Sequence, residues 1–130
     1  MAHVKAIIGH DHYKTVITTA TNSIIADEPK HADGTDLGFA PTELLASALA
    51  SCTAITLRMY ADRKEWALDQ VEVEVIFQRD NEHNISNINR NIILHGDLSP
   101  EQRERLLQIA NQCIIHKTLT SPIAIISELV

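Results

Sequence analysis

From Leu44 to Ala54 the chain carries no charged residue. Pro41 and Glu43 stand just ahead of this run. Proline suits the first position of a helix, where its missing N–H has no partner to lose. Glu43 falls in the first turn, where the helix dipole favours negative charge. Leu45, Leu49, Cys52 and Thr56 form one helical row, and Leu44, Ala48, Ile55 and Met59 widen it. The spacing predicts a helix from Pro41 to about Lys64, buried on nearly all sides. A chain of 130 residues makes a single domain, 1–130, with little else to surround such a helix. The simplest cover is a second copy of the chain, so a homodimer is expected.

The flanking segments read as strands. Val4–Ile8 is apolar and β-branched, Tyr13–Thr19 alternates, and Ser23–Ala26 is a third short strand, with a turn at Gly9-His10-Asp11-His12. Asp27 to Ala40 holds Pro29, Gly34 and Gly38 and reads as a long loop. After the helix, Val71, Val73, Val75 and Phe77 alternate with polar positions. A return strand follows the turn at Arg79-Asp80-Asn81-Glu82 and contains Ile85, Ile88, Ile92 and Leu94. Ser99-Pro100-Glu101-Gln102 is a helix start with a capping-box pattern, and that helix is expected to end near Cys113. Pro122 to Ile126 reads as a closing strand. The predicted order is β-β-β-α-β-β-α-β, an α+β fold with a mainly antiparallel sheet and helices on one face.

Composition excludes several classes of function. The net charge is −6 and the arginines are dispersed, which argues against a nucleic-acid partner. No stretch reaches the ~18 apolar residues of a membrane span, so no membrane partner is expected. The N-terminus lacks the pattern of a secretory signal. The cytoplasm is the expected location, and there cysteines stay reduced.

Cys52 and Cys113 are the two cysteines, and any chemistry centres on them. Cys52 lies mid-helix, where its own helix dipole does little, so an activating charge must come from elsewhere. Read alone, either cysteine is as well explained as a small buried hydrophobe. His116 and Lys117 stand close after Cys113 and equally suit a helix C-terminus. Glu43 precedes Cys52 by a helical rotation of about 900°, which sets the two on opposite sides; its simpler role is in the first turn. Seven histidines are present, but none falls in a zinc spacing. No phosphate loop or dinucleotide fingerprint occurs, so no metal and no resident cofactor are expected.

Gly38-Phe39-Ala40-Pro41-Thr42-Glu43-Leu44-Leu45 followed by Ala48-Leu49-Ala50-Ser51-Cys52-Thr53-Ala54 resembles the central helix of the OsmC/Ohr family. Ile92–Gly96, Leu98-Ser99-Pro100-Glu101-Gln102 and Ala110-Asn111-Gln112-Cys113 resemble that family's second cysteine region. The resemblance covers most of the chain from Asp27 onward. It implies an OsmC-like intertwined homodimer with two central helices against mainly antiparallel sheets, and active sites at the interface. It also implies reduction of organic hydroperoxides: Cys52 attacks the peroxide and becomes a sulfenic acid, Cys113 closes a disulfide, and an external dithiol resets the pair.

Family peroxidases activate the first cysteine with an arginine from the N-terminal strands and carry a glutamate directly after the helix-opening proline. Here no arginine precedes Arg58, Thr42 follows the proline, and the glutamate is Glu43. The chain therefore resembles the branch labelled OsmC-like or YhfA-like. The resemblance makes Cys52, Cys113, Glu43, Lys14 and His12 the candidate site residues. Lys14 and His12 stand for the missing cation, with Arg58 and Arg63 as further sources. The alternatives are a non-peroxidatic dimer that binds or senses a small apolar or thiol-reactive ligand, and a structural protein with packing cysteines.

Overall fold

The structure, a computed structural model, describes residues 1–130. They form two compact units, Met1–Leu45 and Ala46–Val130.

The first unit is an antiparallel meander of β1 (Lys5–Ile8), β2 (Thr15–Thr18) and β3 (Ser23–Ala26). Ile7 pairs with Val16, and Ile17 with Ile24. The Thr19 hydroxyl holds the β2–β3 turn by accepting from the Asn22 amide at 3.0 Å. The long loop that follows is organised by one carboxylate, Asp27, only 2% exposed. Its Oδ1 accepts from the amides of Tyr13 (3.0 Å), Glu28 (2.7 Å) and Thr35 (3.3 Å). Its Oδ2 accepts from the Thr35 hydroxyl (2.5 Å) and the Leu37 amide (3.1 Å). Gly34 and Gly38 permit this winding: a Cβ at either would lie 1.9 Å from a backbone oxygen, of Glu28 and Ile25 respectively.

Helix α1 (Pro41–Lys64) begins as the sequence predicts. Glu43 Oε1 accepts from the Ala40 amide at 2.9 Å, so the carboxylate satisfies a donor at the helix start.

In the second unit α1 packs on a two-stranded antiparallel sheet of β4 (Leu68–Asp80) and β5 (Ile85–Gly96). Val71 pairs with Leu94, Val73 with Ile92, Val75 with Arg90 and Phe77 with Ile88. These pairs form the half-buried face of the sheet. Helix α2 (Pro100–Ala110) starts with the expected capping box between Ser99 and Gln102. Leu57, Tyr60, Ala61, Leu68, Leu106 and Ala110 are buried together as the core.

Three expectations change. The second helix ends at Ala110, because Cys113 takes an extended backbone (φ −59°, ψ 137°). A separate short helix, α3 (Ile114–Leu119), then restarts with Cys113 as its cap. The closing strand over Pro122–Ile126 does not form in this chain, and Ile123, Ile125 and Ile126 stand exposed. Apolar residues of this kind become a strand only when another edge supplies the ladder. Third, α1 is covered on one row, Leu49, Thr53, Leu57 and Ala61, while Ile55 (58% exposed) and Met59 (67%) lie open. Length and composition alone would let α1 cross a membrane, although serine and threonine interrupt its apolar run. Its Leu49, Thr53, Leu57 and Ala61 row is buried within the chain.

The five donors on Asp27 give a pH prediction. The Thr35 hydroxyl, followed by the Tyr13, Leu37 and Glu28 amides, outweighs burial and holds its pKa far below the usual carboxylate value. A depressed folded-state pKa stabilises the fold above the unfolded value, about 3.9, and that stability is lost as pH falls towards the folded value. Acid titration followed by circular dichroism should therefore show a loss below about pH 4 that Asp27→Asn flattens. At pH 7 this variant should melt several degrees lower, because an amide offers one acceptor oxygen to five donors. Unchanged melting would contradict the role of Asp27.

Candidate functional site

Cys52 sits half-buried on α1 beside the buried row, and Cys113 is 1% exposed at the start of α3. Both are free thiols. They come together because α1 lies on the β4–β5 sheet and the chain after α2 turns back to cap α3. The Cys113 sulfur accepts from the His116 amide at 3.4 Å.

The environments of the two thiols push them apart in acidity. Burial by itself raises the Cys52 pKa. The Cys113 thiol, the Ile115 amide, the Thr56 hydroxyl and the Ile114 amide outweigh it, and the net shift is downward. Cys113 moves the other way: burial raises its pKa first, and Cys52 raises it further. Of the two, Cys52 is the more readily ionised thiol.

Arg90 ties the elements that carry the pair, and the sequence analysis does not single it out. It projects from β5 on the half-buried face. Its Nη1 donates to the Thr53 hydroxyl (3.1 Å) and the Ala110 carbonyl (3.2 Å), and its Nη2 to Asn111 Oδ1 (2.8 Å). Thr53 adjoins Cys52, and Asn111 lies two residues before Cys113. The signal was available: the period of Ile88, Ile92 and Leu94 places residue 90 on the same inward face, where an arginine is out of pattern.

The other candidates stand differently. Arg58 is committed to Asp62 (Nε to Oδ1, 2.9 Å) and to the Leu68 carbonyl (2.6 Å). Arg63 lies over the Tyr60 ring at 5.3 Å. Glu43 holds the start of α1 through Ala40. His12 and Lys14 belong to the first unit, between β1 and β2, and the His12 ring stacks on Tyr13 at 5.0 Å. His116 contributes its amide to Cys113, while burial and then the Arg90 charge lower its pKa and favour the neutral ring. Asp80, Glu82 and His83 bring potential metal-ligand atoms within 4.8 Å at the β4–β5 turn. The Asp80–His83 hydrogen bond, 2.7 Å, explains that grouping as turn structure.

A cavity of about 290 Å³ is lined by Leu49, Ile88, Arg90, His116, Leu119 and the hydroxyl residues Ser86 and Thr120. Leu49 is three residues before Cys52 and so shares its side of α1.

Comparisons with known proteins place this geometry. The chain overlays an OsmC-like protein from Mycoplasma pneumoniae with a TM-score of 0.78 at 22% identity, covering 90% of this chain and 85% of that one. A putative osmotic stress induced and detoxification response protein from Psychrobacter arcticus gives 0.79 at 24% identity, over 91% and 88%. The organic hydroperoxide resistance protein OhrB of Bacillus subtilis gives 0.63 at 22%, over 92% and 90%. These likenesses establish the α+β fold with antiparallel sheets. Comparison with curated protein sequences gives no match. The sequence profile described as OsmC-like protein matches residues 34–128, a span that holds both cysteines, Arg90 and the whole of α1, and the chain belongs to the OsmC-like family.

Proposed function

We propose that this chain is a thiol-dependent redox protein that reduces organic hydroperoxides, acting as a cytoplasmic homodimer. What carries this reading is the pair of free cysteines, Cys52 and Cys113, inside the matched family region, with surroundings that shift the two thiols in opposite directions. The Cys52 thiolate attacks the outer peroxide oxygen and breaks the O–O bond. Cys52 becomes a sulfenic acid, and the alkoxide leaves as the alcohol after taking a proton. Cys113 then attacks the sulfenic sulfur, forming the disulfide and releasing water. An external dithiol supplies two electrons and two protons to restore both thiols. The organic hydroperoxide resistance protein of Bacillus subtilis shares this fold, which supports the choice of substrate class. Glu43 serves by fixing the start of α1.

One observation favours a second reading. The leading groups that stabilise the Cys52 thiolate are all neutral. A dimer that binds or senses a small apolar or thiol-reactive ligand would need no more than this.

Peroxide consumption with a dithiol reductant separates the two. Wild type should turn over an organic hydroperoxide, Cys52→Ser should fall to the buffer rate, and Cys113→Ser should leave a sulfenic acid that dimedone traps. No turnover by wild type would favour the ligand-binding reading.

Alkylation rates across pH measure the thiols directly. Cys52 should show its inflection below the free-thiol value of about 8.5, and Cys113 above it. Lys14→Gln or His12→Gln should move the Cys52 inflection upward if that side chain supplies a cation. Two ordinary thiols would remove the basis for peroxide attack.

Sedimentation at low micromolar concentration tests the assembly. A dimer is expected, since the open Ile55–Met59 face of α1 calls for cover and obligate interfaces bury more than about 2,000 Å². A stable folded monomer at that concentration would rule it out.

A further inference from the structure

We propose that the cavity between β5, α1 and α3 that Arg90 and His116 line is a carboxylate-binding subsite, in which the Arg90 guanidinium holds the anion and Leu49, Ile88 and Leu119 hold a short apolar body. This goes beyond peroxide reduction and does not depend on it.

Arg90 stands on the apolar face of the β4–β5 sheet and lines the cavity. The ion pairs of this chain join Arg58 to Asp62, His83 to Asp80 and His95 to Glu72. No carboxylate lies within 4.0 Å of Arg90. Its partners Thr53, Ala110 and Asn111 are neutral. A guanidinium has five N–H donors, and these bonds leave the Nε–H and one Nη2 hydrogen without a partner in the chain. A half-buried cation has lost part of its hydration, and neutral acceptors return less than an anion does. Two free donors on one planar fork match the two oxygens of a carboxylate.

The rest of the lining fits such a ligand. Leu49, Ile88 and Leu119 present an apolar wall, and Ser86 and Thr120 add hydroxyl groups. The His116 ring, favoured as neutral by burial and by Arg90, leaves Arg90 as the cation of the cavity. A volume of about 290 Å³ admits a small organic acid and lies at the low end for ligand pockets. His116, which lines the cavity, also donates its amide to the Cys113 sulfur at 3.4 Å.

Calorimetric titration of the full-length reduced protein tests this with benzoate and benzyl alcohol, which share a ring and differ in charge. Benzoate should bind at least about tenfold more tightly, a difference of about 1.4 kcal/mol, and added salt should weaken it. Arg90→Gln should cancel that preference. Leu119→Trp, which narrows the cavity without touching the guanidinium, should weaken benzoate by a similar factor. Absent benzoate binding, equal binding of the two ligands, or an Arg90→Gln variant that keeps the preference would overturn the proposal. Arg90 also ties α1 to the end of α2, so if Arg90→Gln fails to fold, Leu119→Trp decides: undiminished benzoate binding refutes the site. Neither peroxide nor reductant is present, so failure here is separate from failure of turnover.

Discussion

Helix α1 has more apolar surface than this chain covers, and that constraint shapes the rest. Its buried row runs Leu49, Thr53, Leu57 and Ala61. Leu68 of β4, Leu98 of the connection to α2 and Leu106 of α2 are buried with its Leu57 and Ala61 in one core. The opposite side keeps Ile55 and Met59 in the open. Cys52 and Thr56 fall at the margin, half-buried. A thiol at such a margin is dry enough to be selective and open enough to meet a reactant. A thiol on the fully buried row would have been neither accessible nor easily ionised.

The chemistry of the pair follows from where α3 begins. Cys113 caps that helix with its sulfur, and the amides of Ile114 and Ile115 act on Cys52. One turn of backbone thus serves both sulfurs. Arg90 fixes this turn to α1 through neutral acceptors on either side. Neighbouring backbone amides, the Thr56 hydroxyl and the Cys113 thiol lower the Cys52 pKa against the effect of burial.

Much of this was legible in the sequence. Pro41, Glu43 and the charge-free run fix α1 at both its start and its character, and Ser99 with Gln102 fixes the start of α2. Alternation at Val71, Val73, Val75 and Phe77 fixes the inner face of β4. The motifs around the two cysteines carry the family resemblance, and the family profile covers both. Three features were not. α3 depends on the backbone at Cys113, which no propensity marks. Arg90 was hidden by attention to apolar positions, since the informative residue was the one that broke their row. The segment after Pro122 has the composition of a strand, but strand formation depends on a partner edge that composition does not reveal.

The long β4–β5 hairpin carries a consequence for how the chain avoids misfolding. Twelve paired positions joined by a short turn can in principle slide against each other, and a shift of one residue sends every side chain of a strand to the opposite face. Apolar content alone guards weakly against this in β5, because Ile93 already sits among the outward residues beside Asn89 and Asn91. A slipped β5 would turn Arg90 to solvent and bring asparagines inward, abandoning the Thr53 and Ala110 acceptors at once. The inward arginine therefore works as a proofreading device for strand alignment, accepting one pairing of the hairpin and penalising its neighbours.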